Sequence, residues 1–391
     1  MKSMTMLSLA LMAAASVSAR ATESGAPGKT LGFAIIDLPF SLAKNADDCP
    51  NGFAMSAKDI FLASVAKAEQ ERLQKPENLK EFEQKAYNTS DGKDLCSVPT
   101  YPRAPQRTPQ GKMSFGMNLD GTTDGHATPN SCGHPKFQGP DGQPVDNQLY
   151  RVIGCSSNLR GFPGERGYLE SLRLSGFYDG GTTLLIEVKN VHDMRNDDNV
   201  ELGIYNGADP LVTDPNGKQI LPYASLSVTD DPKYRTTVHA RIVDGVLTTD
   251  AFDFHLHYDF GAAISEYNVR GGRIRLEFQP NGEAKGMMAG YIELYDADPV
   301  AGKGALNEKQ KFMQKVNKQY LAEMIGRDCP SYAQAVWRYA DGYPDPKTGE
   351  CTSISTAWDI KAIPAFVMHP ETQKSAAVEK TVVAPDGKAK D

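Results

Sequence analysis

The stretch that decides the fold is Phe252-Asp253-Phe254-His255-Leu256-His257-Tyr258-Asp259-Phe260, in which apolar and polar side chains alternate without a break. A period of two places alternate residues on opposite faces of a strand. Phe252, Phe254, Leu256, Tyr258 and Phe260 are therefore expected to face a core, with Asp253, His255, His257 and Asp259 together on the other side. The same alternation sets Ile274, Leu276 and Phe278 against Arg273, Arg275 and Glu277, and Val238, Ala240 and Ile242 against His239 and Arg241. Further strands are read at 169–174, 183–191, 200–205, 220–228, 246–260 and 288–295, separated by Gly, Pro, Asn and Asp turns. Short strands without intervening helices predict a mainly β fold, an antiparallel β-sandwich of jelly-roll or lectin-like type over residues 168–300.

The flanks read differently. Ser56, with Asp59 three residues on, starts a helix that Pro76 ends, and a second short helix is expected over 79–87. Pro99, Pro102, Pro105 and Pro109 keep the following segment extended, so 22–110 is expected to be a helical and Pro-rich segment. Residues 111–167 are rich in Gly, Asp and Cys and read as ordered loops. Residues 301–369 read as a helical hairpin, one helix carrying Phe312, Val316 and Tyr320, the next opening at Cys329 with Ala333, Val336, Trp337 and Ala340 on its face. Residues 370–391 lack periodicity and are expected to be a disordered tail.

Residues 1–21 resemble an export signal, with Lys2, an apolar run from Met4 to Val17, and small residues at the cut. Cleavage there removes Lys2 and Arg20 and no acid, taking the formal charge of the 391-residue chain from −7 to −9. An acidic chain without arginine-rich runs is a poor nucleic-acid partner, and no membrane insertion is expected. Cys49, Cys96, Cys132, Cys155, Cys329 and Cys351 are an even set for an oxidising compartment, periplasmic or secreted. Chain order suggests Cys49 with Cys96, Cys132 with Cys155, and Cys329 with Cys351.

Two constellations could carry chemistry. Asp253, His255, His257 and Asp259, with Arg273 and Arg275 on the neighbouring strand, offer a polar face for a small molecule or glycan. Two imidazoles at alternate positions could also hold a transition metal if another strand supplied ligands. The run Phe254-His255-Leu256-His257, followed by Ser265-Glu266-Tyr267-Asn268-Val269, resembles the zinc strand of α-carbonic anhydrases. It departs at Tyr267, where that family has His, and no third zinc His follows, so that family is not adopted. The cupin pattern fails because Glu266 comes too late after His257.

The second constellation is Asn118, Asp120 and Asp124 with Asp141 and Asp146, oxygen donors spaced by glycines that suit Ca²⁺. No nucleophile elbow, zinc-protease helix or phosphate-binding loop occurs, and Glu187, Glu201, Glu277 and Glu293 are the carboxylates a glycosidase could use. The sequence thus leads to an exported ligand- or glycan-binding protein, with disulfides and Ca²⁺ stabilising it. The alternatives are a metal- or carboxylate-dependent hydrolase or lyase centred on His255 and His257, or a structural component docked to an envelope protein partner.

Overall fold

The alternating segments between 184 and 293 are strands, but the sheet they build is closed. A computed structural model describes residues 27–294 apart from 99, 163 and 260–263, together with 326 and 328–370. The expected export segment, the helix expected around Phe312–Tyr320 and the tail expected beyond 370 lie outside the described residues. In chain order, β1 (Lys29–Asp37) is followed by α1 (Ala57–Ser64), α2 (Lys67–Leu73) and α3 (Leu79–Tyr87). A small hairpin, β2 (Phe137–Gln138) and β3 (Pro144–Val145), precedes α4 (Gln148–Ile153), α5 (Ser157–Arg160) and α6 (Tyr168–Tyr178). Then come β4 (Leu184–Val191), β5 (Asp197–Asn206), β6 (Ala224–Ser227), β7 (Arg235–Val243), β8 (Val246–Thr249), β9 (Phe252–Asp259), β10 (Ile264–Phe278) and β11 (Ala284–Glu293). Helix α7 (Cys329–Tyr339), β12 (Gly342–Pro344) and the 18-residue β13 (Cys351–Met368) complete the described chain.

Eight strands, β1-β4-β5-β7-β8-β10-β11-β13, each pair antiparallel with the next, and β13 returns to pair with β1. This is a closed up-and-down barrel, and it corrects the expected sandwich of jelly-roll or lectin-like type. The difference has a physical origin: the first and last barrel strands lie outside 168–300, in segments that also carry helices. Residues 169–174 belong to α6, not to a strand, because Leu169, Arg173, Gly176 and Phe177 are buried at helical spacing. Strand β10 runs 15 residues and pairs with both β8 and β9, which are two halves of one strand interrupted at Asp250–Ala251.

Directly paired residues share a face, so the register identifies the interior. Phe33, Ile186 and Ile204 form one inward row, and Ile274, Met288 and Trp358 form another. Phe33 and Phe278 stack at 5.8 Å across the barrel, which is thereby filled by side chains. The outward positions of β7 and β10 include Arg241, Arg275 and Glu277, all exposed. An apolar inside with a charged outside is the reverse of a membrane-spanning barrel. None of the described helices is long and apolar enough to cross a membrane.

Helices α1–α3 form a satellite core around Leu73, Phe82 and Ala86, and the Ser56–Asp59 capping box expected from sequence opens α1. The disulfides are Cys49–Cys155, Cys96–Cys329 and Cys132–Cys351, with sequence separations of 106, 233 and 219. The three neighbour pairings are all overturned. Barrel closure sets β13 beside β1, so Cys329 and Cys351, which open α7 and β13, come to lie against cysteines far earlier in the sequence. Helix α7 forms where expected but packs through Tyr332, Ala335 and Val336, leaving Trp337 39% exposed. Beyond it, Asp341 is fully enclosed and accepts from the Ser355 N–H and hydroxyl, both at 2.7 Å.

Two measurements test this packing. Trp358→Ala should cost about 3–5 kcal/mol in denaturant unfolding, because it empties the barrel interior. Trp337→Ala should stay within about 0.5 kcal/mol. Burial raises the Asp341 carboxyl from its ordinary 3.8 to about 8. The fold holds that proton more tightly than the unfolded chain does, so its contribution is full below pH ~4 and fades as pH rises toward 8. Asp341→Asn should therefore remove part of the drop in melting temperature between pH 5 and 9, on the order of 5 °C. An unchanged drop would contradict the assignment.

Candidate functional site

Strand β9 places its residues as the alternation requires: Phe254, Leu256 and Tyr258 are buried, and Asp253, His255, His257 and Asp259 lie on the other face. Their chemistry does not converge. His255 Nδ1 meets Asn268 Oδ1, and Asn268 Nδ2 donates to Glu293 Oε2 at 3.1 Å. The ring of His257 packs edge-on to Tyr234 at 6.0 Å, while its backbone N–H donates to Asn206. Asp253 accepts from the Gly271 N–H at 2.8 Å, and the backbone N–H of Asp259 donates to Thr182 Oγ1. Arg273 and Arg275 sit further along β10, opposite Ala289 and Met287, with Arg275 turned toward Glu277 at 3.5 Å. Among the described residues no group of three or more His, Cys, Asp or Glu side chains is gathered as a metal site.

The acidic loops divide in the same way. Asn118 accepts from the Gly121 N–H, Asp124 from His126 N–H and ring, and Asp141 from the Gln143 N–H, all local turn contacts. Asp120 and Asp146 do meet, but on the ammonium of Lys136, at 2.6 and 2.5 Å. A lysine therefore stands where the sequence reading placed a cation between these two carboxylates. Lys136 precedes the buried Phe137, and nothing in its composition context distinguishes it from a surface lysine. Burial raises the Asp146 carboxyl, whereas the hydrogen bonds from Lys136 and Thr122 outweigh burial at Asp120 and lower it.

A cavity of about 690 Å³ opens at the end of the barrel beside α6, in the size range of small-ligand sites. Its walls come from three distant parts of the chain. Phe40, Lys44 and Phe53 follow β1, Phe162, Arg166 and Glu170 belong to the α5–α6 turn and α6, and Asp359 projects outward from β13. The turn is held by Gly161, whose φ of 71° suits glycine and whose Cβ, if present, would lie 2.4 Å from the Glu165 carbonyl oxygen. That backbone presents Phe162, 55% exposed, edge-on to Phe53 at 5.5 Å. Among the described residues no serine, threonine or histidine lines the cavity.

Arg166, Glu170 and Asp359 of the wall belong to an ionic cluster, with buried Arg173 behind them, that sequence reasoning missed. Arg173, 1% exposed, lies over Phe40 at 4.5 Å and Tyr258 at 4.7 Å and donates to the Tyr267 hydroxyl and the Leu38 carbonyl, each at 3.0 Å. Glu170 Oε2 is 3.5 Å from Arg173 Nε, and burial holds this carboxyl above its usual range. Arg166 forks onto Asp37 at 3.0 and 2.5 Å. Asp359 is also raised by burial and accepts from Ser41 at 2.5 Å. Lys44 stands exposed at the mouth, lowered chiefly by desolvation against the wall, and makes no ion pair among the described residues. Helical spacing in 169–177 was the signal that could have exposed Glu170 and Arg173. Comparison with family models, with curated proteins and with solved structures finds no match to this chain.

Proposed function

We propose that this is an exported binding protein that holds a small organic anion with an apolar or aromatic body in the cavity beside α6. The observation that carries the reading is a ligand-sized cavity with an aromatic pair on one wall and Lys44 as a spare cation at its mouth. An apolar body fits against Phe40, Phe53 and Phe162, while the anionic group meets Lys44. Glu170, whose carboxyl burial raises, closes the inner wall. Arg166 and Arg173 already have carboxylate neighbours, so they shape the site more than they attract charge. Export is supported by three disulfides in a chain with a signal-like start. The separately engaged imidazoles of His255 and His257 give no comparable support to a hydrolase or lyase.

Fluorescence titration with 8-anilinonaphthalene-1-sulfonate, an aromatic sulfonate, tests the reading. One saturable site is expected, weakened about tenfold by Lys44→Glu and by a similar factor in Phe162→Ala, with unchanged melting temperatures. Binding that ignores both substitutions, or no saturable binding, would contradict it.

A further inference from the structure

Lys136 immediately precedes β2 and Asp146 immediately follows β3. The pairing Phe137↔Val145 and Gln138↔Pro144 makes these two residues the next opposed pair, at the base of the hairpin. Lys136 Nζ lies 2.5 Å from Asp146 Oδ1 and 2.6 Å from Asp120 Oδ1. The three side chains are only 5%, 4% and 2% exposed. The second oxygen of Asp146, Oδ2, accepts the Leu119 N–H at 2.8 Å. Leu119 belongs to an apolar cluster with Tyr291, Ala289 and Ala357 that closes the site against the outer wall of β11 and β13. Lys58 and Glu83 make a contact of similar length, 2.9 Å, but with side chains 31% and 53% exposed they remain in water.

We propose that Lys136 and Asp146 condense into a side-chain amide, an isopeptide cross-link made by the folded chain itself with Asp120 moving the protons. The step needs no oxidant or co-reactant. An ammonium and a carboxylate become an amide and one water, so the charge is neutral before and after. The Asp120 carboxylate takes a proton from the Lys136 ammonium, freeing the nitrogen lone pair. Nζ then bonds to Cγ of Asp146, and negative charge builds on Oδ2, where the Leu119 N–H already donates. Asp120 returns that proton to Oδ1 and then relays the second proton from Nζ to the same oxygen, so that as the Cγ–Oδ1 bond breaks water leaves, the nitrogen becomes a neutral amide and Oδ2 remains as its carbonyl oxygen.

Three physical factors favour this reaction here. The fold holds the amine and carboxyl groups in contact, which replaces a bimolecular encounter by a positioned one. The apolar cover excludes the water that would oppose condensation. A buried ion pair is costly to keep desolvated, and the amide removes both of its charges, leaving Asp120 held by the Thr122 N–H and hydroxyl. The product would close the base of the β2–β3 hairpin covalently.

Peptide mapping of the purified full chain tests this directly. After reduction, alkylation and digestion with trypsin in denaturant, an unlinked chain is cut after Lys136 and yields peptides 113–136 and 137–151. The cross-linked chain resists that cut and yields one peptide, Met113–Arg151, lighter by one water, about 18 Da. Lys136→Arg should restore cleavage and the full mass. Recovery of the two peptides at unmodified mass would overturn the proposal. So would a loss of about 18 Da with cleavage after position 136 intact, the pattern of a succinimide at Asp120–Gly121. Fragment ions placing the link on Asp120 would overturn the assignment of Asp146.

Discussion

The pairing of β1 with β13 is the constraint on which the rest of the molecule depends. Phe33, Ala34 and Ile35 lie opposite Pro364, Ile363 and Ala362, and that contact turns an open meander into a barrel without exposed edges. Once the ring is closed, Trp358 is enclosed beside Met288, and its ring stacks on Phe40 at 5.9 Å. Phe40 in turn lies under Arg173, which also meets Tyr258. The wall of the cavity is therefore an extension of the barrel core. A loosened β13 would disturb both.

The closure also explains the disulfides. Cys132–Cys351 ties the loop region to the start of β13, and Cys96–Cys329 ties the N-terminal helices to α7. Cross-links between segments this far apart restrict the unfolded chain over long loops, where the entropic contribution is largest in the chain-entropy model. Charges buried under those segments are matched locally. Arg160 reaches Asp48 at 3.2 Å, Lys136 reaches Asp120 and Asp146, and Arg173 lies beside Glu170. Each of these pairs would be expensive to separate. Lys44 differs from them in standing at a cavity mouth, and the proposed ligand charge rests on that difference.

The strands with one wet and one dry face were legible, as Ile274, Leu276 and Phe278 against Arg273, Arg275 and Glu277 show. Strand β13 was harder to read because loops and helices cover its outer face. Ser353, Ser355 and Ala357 are as buried as Ile354 and Trp358, which mutes the polar alternation. A trace remains in Trp358, Ile360 and Ala362 against Asp359 and Lys361, enough to argue for a strand once α7 is set aside. Of the acidic loop residues, the meeting of Asp120 with Asp146 was foreseeable from turn-rich spacing, but the lysine between them was not. The cavity was not legible because its walls come from residues near 40–53, 159–170 and 359, and only the closed ring brings them together.

Hydrogen exchange of β1 and β13 followed by mass spectrometry is the most direct measure of the closed ring. A closed barrel requires amides at Phe33–Ile35 and Ile360–Ile363 to exchange as slowly as those of β5 and β10, through the same global opening. If either segment exchanges orders of magnitude faster than β5, as an edge strand with unpaired amides would, the ring is open.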